Sequence, residues 1–226
     1  MTGVFLQVRL DSSRLPGKAL LPLEGDTVVG HAMRALRNVH AQVYLLLTDS
    51  ESAGELRPHA EKAGFEVFAG AKDDVLLRYT DAARLYGVDR IIRATGDNPL
   101  VSAECADRIC VLHRQAGADY SGFRGLPLGT GVECVEAEAL FEAEKAAVSS
   151  YDREHVCPYL YRHPERFSIH TPQAPGQYRF PEARVTLDTE EDYIRLKELF
   201  KSLYNGSPVP IDRLVPALSR YYPVAG

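Results

Sequence analysis

No stretch of this sequence is long and apolar enough to span a membrane, and the apolar run at residues 4–8 is too short for the hydrophobic region of a signal peptide. Cysteine is scarce. Cys105, Cys110, Cys134 and Cys157 form no C-x-x-C pair, which argues against a zinc ribbon, a dithiol redox motif and a disulfide-stapled scaffold. They read as buried thiols of a protein in a reducing compartment, the cytoplasm. Positive charge is not in excess either: 26 Lys and Arg face 31 Asp and Glu, a net charge of −5. That argues against a nucleic-acid binder working through bulk charge and leaves any phosphate binding to a local cluster. His31, His40, His59, His113, His163 and His170 lack metal-ligand spacing. Two familiar phosphate loops are also missing. A P-loop needs glycine where Ser12 stands and Ser or Thr where Ala19 stands, and Gly129-Thr130-Gly131 is followed by Cys134 where a dinucleotide fingerprint needs glycine.

What is present begins at the N-terminus. Val4-Phe5-Leu6-Gln7-Val8 reads as a strand and breaks into a turn-forming segment that carries Arg9, Ser12, Ser13, Arg14 and Lys18. Arginine can grip phosphate oxygens in pairs and lysine adds a compact charge, so the loop is a side-chain phosphate cradle or an ordinary solvated surface loop.

Beyond it, strand and helix alternate. Thr27 caps a helix to about residue 38, and the apolar run 43–47 suits a parallel strand covered on both faces. Thr48-Asp49-Ser50 ends that strand, and the following helix closes at Gly64. A short strand at 65–68, a helix from Asp73 or Asp74 to Gly87, a strand at 89–93 ending in Thr95-Gly96-Asp97, and a Ser102-capped helix to about 116 follow. This order predicts an α/β fold with a doubly wound sheet, whose ligands sit outside the carboxyl ends of the strands. The second half is less regular. The pattern predicts strands at 119–123, 132–135, 167–171 and 183–188, and helices at 136–149, 151–162 and 190–203, the last capped by Thr189. The length fits a single domain over 1–226, with 120–182 as an excursion.

Asp97 and Asp188 each end a predicted strand. Alone, each is explained as a helix cap or turn residue. Beside a basic loop, two carboxylates suggest a Mg²⁺ site, since a hard cation takes oxygen ligands from one or two carboxylates and from substrate phosphates.

Three motifs in this order, Arg9-Leu10-Asp11-Ser12-Ser13-Arg14-Leu15-Pro16-Gly17-Lys18, Thr95-Gly96-Asp97-Asn98-Pro99-Leu100 and Leu187-Asp188-Thr189-Glu190-Glu191-Asp192, resemble those of the cytidylyltransferases that make CMP-activated sugar acids. Within them the chain is most similar to the spore coat polysaccharide biosynthesis protein F group. Asp73-Asp74-Val75-Leu76-Leu77-Arg78-Tyr79 and Arg153-Glu154-His155-Val156-Cys157-Pro158-Tyr159 also resemble that group. The resemblance implies a Rossmann-like three-layer nucleotide-diphospho-sugar transferase fold with a mixed, mostly parallel sheet. It implies CMP transfer from CTP to a sugar acid in surface polysaccharide biosynthesis, Mg²⁺ on Asp97 and Asp188, and a homodimer. Arg9, Ser12, Ser13, Arg14 and Lys18 would hold the triphosphate, with Lys18, Arg14 and Asp97 acting in catalysis. Thr48, Arg78 and Thr95 would serve the cytidine, and Arg153 and His155 the acceptor or an interface; 120–182 would shape the acceptor pocket and the dimer contact. Asp11 departs from the family's small neutral residue and places a carboxylate beside the expected triphosphate. That leaves open a nucleotide-binding homologue without turnover, and a transferase using a different NTP is a separate alternative. No general base stands out.

Overall fold

The computed structural model describes residues 1–222. Its centre is β1 (Thr2–Gln7), an apolar strand whose Val4, Phe5 and Leu6 are wholly buried. A strand buried on both faces needs helices above and below it. The chain supplies them in sequence order: a two-residue hairpin of β2 (Pro22–Leu23) and β3 (Asp26–Thr27), then α1 (Val28–Leu36), β4 (Val43–Asp49), α2 (Ala53–Ala63), β5 (Glu66–Gly70), α3 (Val75–Tyr86), β6 (Arg90–Thr95) and α4 (Ala103–Ala116). Thr27, Asp74 and Ser102 cap α1, α3 and α4 through hydrogen bonds from Gly30, Leu77 and Cys105 N–H. Helices α2, α3 and α4 close on Gly64, Gly87 and Gly117, as the sequence predicts.

The main sheet has the order β5-β4-β1-β6-β8-β7-β9. Strands β5, β4, β1 and β6 are parallel; β8 (Glu133–Glu136) runs antiparallel to β6 and to β7 (Tyr120–Gly122), and β9 (Ile169–His170) pairs parallel with β7. The fold is α/β with a mixed, mostly parallel sheet. Val4, Leu6, Leu46 and Ile92 pack with Val29, Met33, Leu56 and Ile109 on one face. Phe5, Leu45, Leu47 and Ile91 pack with Leu76, Tyr79 and Leu140 on the other. From β1 the chain goes to β4 and β5 on one side and to β6 on the other. The carboxyl ends of β1 and β6 therefore flank the point where winding reverses, the place where such sheets bind ligands.

The second half departs from expectation in three places. The helix expected at 136–149 stops earlier, as α5 (Ala137–Ala146). The helix expected at 151–162 is two, α6 (Ser150–His155) and α7 (Pro158–Arg162), split at Val156, whose φ of 74° and ψ of −65° form a tight turn closed by Cys157 N–H on the His155 carbonyl at 2.9 Å. That backbone is strained for a β-branched residue, and Val156 is wholly buried, so packing holds it. The strand expected at 183–188 is not in the sheet. It lies extended against the loop after β7 and the turn after β6, with Val185 N–H on Leu128 O at 2.7 Å and Leu187 N–H on Asp97 O at 2.9 Å. It leads into α8 (Glu190–Leu203), which Thr189 and Asp192 start with a reciprocal cap, and α9 (Ile211–Leu218) follows. Tyr222 packs on Phe180 and donates to the Arg184 carbonyl.

Candidate active site

At the switch point, the strand β1 ends and the chain turns through residues 8–17. Gly17 takes φ 67°, and its N–H returns to the Leu10 carbonyl at 3.0 Å, closing the loop. That turn delivers Lys18 inward at the mouth of the sheet. Its ammonium meets Asp97 Oδ2 at 2.8 Å, Asp188 Oδ1 at 2.9 Å and the Leu187 carbonyl at 2.6 Å. Asp97 follows β6 directly. Asp188 reaches it because Leu187 is hydrogen-bonded to the Asp97 backbone, so the sheet end and a distant extended segment place two carboxylates on one cation.

Further charge surrounds this hub. Arg14 Nη2 lies 3.0 Å from Asp188 Oδ1, and Arg184 Nη2 lies 3.0 Å from Asp188 Oδ2. Burial works against the charged form of Asp188, but Lys18, Arg184 and Arg14 outweigh it and hold the carboxyl below its ordinary range. Thr95 Oγ1 donates to Asp97 Oδ1 at 2.7 Å and accepts from Asn98 Nδ2 at 2.8 Å, which fixes the carboxylate's orientation.

A cavity of about 310 Å³ opens here, within the size range of small-ligand sites. Arg9, Ser12, Ser13, Arg14, Lys18, Thr95, Asp97, His155 and Asp188 all line it. Three other expected residues do not. Thr48 is wholly buried behind the neighbouring strand end. Arg78 is buried, with Nε and Nη2 on the Ala71 and Lys72 carbonyls. Arg153 turns away to the Asp74 carboxylate and the Glu144 carbonyl, so it ties α6 to the start of α3 and to α5.

The sequence reading missed Gln7, Arg93, Glu133 and Glu154. An arginine inside the otherwise apolar run of β6 was the available signal for Arg93. Glu154 and Asp11 both engage Arg9, at 3.2 and 3.3 Å, so Asp11 faces an arginine within its own loop. A second cavity of about 360 Å³ adjoins the first, and Arg93 and Thr95 line both. Its walls come from Tyr120, Phe123, Leu126, Gly129 and Val132, with Glu133, Asn98, Arg124 and Thr171 as further polar members.

Among the described residues no three His, Cys, Asp or Glu side chains cluster as a protein-only metal cage. The donor set that is present, two carboxylates converging on one cation, suits Mg²⁺, which completes its shell with water and substrate phosphates. The geometry therefore presents two carboxylates and a ring of cations beside a chamber lined by both polar and apolar residues.

Comparisons agree with this chemistry. The model of the family described as cytidylyltransferase matches residues 4–209. The spore coat polysaccharide biosynthesis protein SpsF of Bacillus subtilis (strain 168) is 32% identical over 95% of this chain and 92% of its own length. A solved cytidylyltransferase of Leptospira borgpetersenii is 28% identical, with a TM-score of 0.89 over 98% of this chain and 94% of that one. A solved CMP:2-keto-3-deoxy-manno-octonic acid synthetase in complex with CTP has a TM-score of 0.69 over 88% of this chain and 98% of its own; at 14% identity that likeness speaks to the fold alone.

Proposed function

The chain belongs to the cytidylyltransferase family, and from that premise we propose that it transfers CMP from CTP to a hydroxyl of a sugar acid, releasing pyrophosphate, in surface polysaccharide biosynthesis. The observation that carries the reading is Lys18 held between Asp97 and Asp188 at the sheet's switch point, ringed by Arg9, Ser12, Ser13 and Arg14.

The reaction requires a triphosphate to be held in line and its charge neutralised while an acceptor oxygen approaches the α-phosphorus. Arg9, Arg14 and Lys18 supply that charge. Ser12 and Ser13 donate hydroxyl hydrogen bonds. Lys18 exchanges its carboxylate partners for phosphate oxygens and stays with the leaving pyrophosphate. Asp97 and Asp188 are the residues that would hold Mg²⁺, which, when bound, withdraws charge from the phosphate. Thr95 keeps Asp97 aimed. The adjoining chamber takes the acceptor, and His155, which lines the first cavity, closes the site. The exposed Val148, Tyr151 and Tyr161 form the contact of a homodimer, and the enzyme works in the cytoplasm.

Incubation with CTP, Mg²⁺ and a panel of octulosonic and nonulosonic acids, followed by pyrophosphate release, tests the reading. Release that depends on CTP, on metal and on the acid is the expected outcome, and silence across the panel counts against it. Thermal shift with each NTP and Mg²⁺ checks the nucleotide: CTP is expected to stabilise most at equal concentration.

A further inference from the structure

Among the described residues, the buried side-chain polar atoms without a partner are Gln7 Oε1, Thr48 Oγ1, Arg78 Nη1, Arg93 Nε and Asn98 Oδ1. An unmatched buried polar atom is costly, so each calls for a reason. Gln7 lines the first cavity, Asn98 the second, and Arg93 both. Thr48 and Arg78 line neither cavity, so of the five only Arg93 lies where the two cavities meet.

Arg93 stands out among them. Its side chain is only 15% exposed and sits on β6, directly opposite Glu133 of β8. Nη1 of Arg93 is bonded to Glu133 Oε2, and Glu133 Oε1 accepts from the Tyr120 hydroxyl at 2.7 Å. The carboxylate thus fixes one end of the guanidinium. Neither Nε nor Nη2 has a hydrogen-bond partner among the described residues, and these two nitrogens form the edge that receives a carboxylate side-on. Burial opposes the cation, but Glu133 and its other neighbours keep it charged. The phosphate end of the first cavity already has Arg9, Arg14 and Lys18. The second cavity has Arg93 in its floor and Arg124 at its exposed rim, where Arg124 Nε bonds the Thr171 carbonyl.

We propose that Arg93 is the specificity-determining residue for the acceptor: its free Nε–Nη2 edge binds the acceptor's carboxylate at the junction of the two cavities, and Glu133 is the positioning residue that aims it. This rests on the reading of the second cavity as the acceptor chamber. It restricts the substrates to acids whose carboxylate lies close to the attacking hydroxyl, as in a 2-keto-3-deoxy sugar acid, and it excludes neutral sugars.

Removing Arg93 alone would strand the Glu133 charge, so Arg93→Met is paired with the double variant Arg93→Met/Glu133→Gln, which is neutral there. Binding is measured by calorimetry for CTP with Mg²⁺, and by saturation-transfer NMR on the CTP-loaded protein for 3-deoxy-manno-octulosonate, related 2-keto-3-deoxy acids and the C1 carboxamide of each. The expected result has four parts. The wild type binds at least one acid, at least about thirtyfold tighter than its carboxamide. The double variant loses that preference. CTP affinity stays within about threefold. Arg93→Lys, which keeps charge but not the paired edge, falls between. Unchanged acid binding in the double variant, an equal loss of CTP affinity, or CTP binding with no acid bound would each overturn the proposal. Failure of the wild type to bind CTP would instead overturn the proposed function.

Discussion

Charged side chains that neutralise one another wall the first cavity, whereas the chamber beyond Arg93 mixes polar side chains of the sheet with apolar residues and glycines of the 122–131 loop. The first is assembled where the ends of β1 and β6 meet the loop after β1, α6 and the extended segment at Asp188. Its acids and bases pair with one another: Lys18 sits between Asp97 and Asp188. The second is assembled from side chains of β6, β7 and β8 and from the loop after β7, where the chain makes close approaches. Gly129 has φ 100°, and a Cβ there would lie 2.8 Å from Thr186 N. One region encodes chemistry in residue type, the other encodes shape in conformation. Substitutions should therefore fail differently in the two.

The largest effect is expected at the hub. Lys18→Ala should lower turnover at least about a hundredfold, the scale of losing one charge contact in the transition state. It should also make the unliganded protein more dependent on divalent cation, because Asp97 and Asp188 then face each other unneutralised. Steady-state rates and melting temperature against Mg²⁺ concentration check both, and an unchanged rate would remove Lys18 from the site. Gly129→Ala should do the opposite: destabilise the fold by about 2 kcal/mol or more through its left-handed backbone and the crowded Thr186 amide, while CTP affinity of the folded fraction holds. Denaturant unfolding alongside calorimetry separates the two.

A smaller effect concerns acid. The Asp188 carboxyl lies below its ordinary value of 3.8 in the folded protein. Its contribution to stability is therefore complete above that value and lost as pH falls through the lower native one. Melting temperature followed from about pH 5 downward should show an acid-side decline that Asp188→Asn makes shallower. Parallel curves for the two proteins would contradict the assignment. The smallest effect belongs to Asp11. Its pairing with Arg9 joins two well-exposed side chains, and such pairs are worth about 1 kcal/mol at most. Asp11→Gly should tighten CTP binding no more than about fivefold, the equilibrium ratio that corresponds to such an energy. A much larger gain in turnover would mark Asp11 as the brake on an otherwise competent site.

Where local signals were strong, the sequence and structure coincide. The continuous apolar runs of β1 and β4, the caps at Thr27 and Ser102, the start of α3 at one of Asp73 and Asp74, and the closing glycines were all legible, because each depends on neighbours within a few residues. The basic loop, Asp97 and Asp188 were legible through their motifs. Arg153 and Arg78 were not, since a motif shows that an arginine is present but not which carboxylate or carbonyl it turns toward. The break at Val156 was hidden because no local signal favours that backbone in a valine; burial enforces it.

By itself, then, the sequence determined the alternating elements, the basic and hydroxyl-bearing character of residues 9–18 and the presence of two acids at the ends of predicted strands. These follow from periodicity, turn chemistry and residue type. Only the tertiary structure decided that Asp188 meets Asp97 through an extended segment outside the sheet, and that Lys18 bridges both. It alone decided that Arg93, paired across two strands with Glu133, holds an unfilled edge where the two cavities join. These depend on contacts between residues tens to well over a hundred positions apart, which no local pattern records.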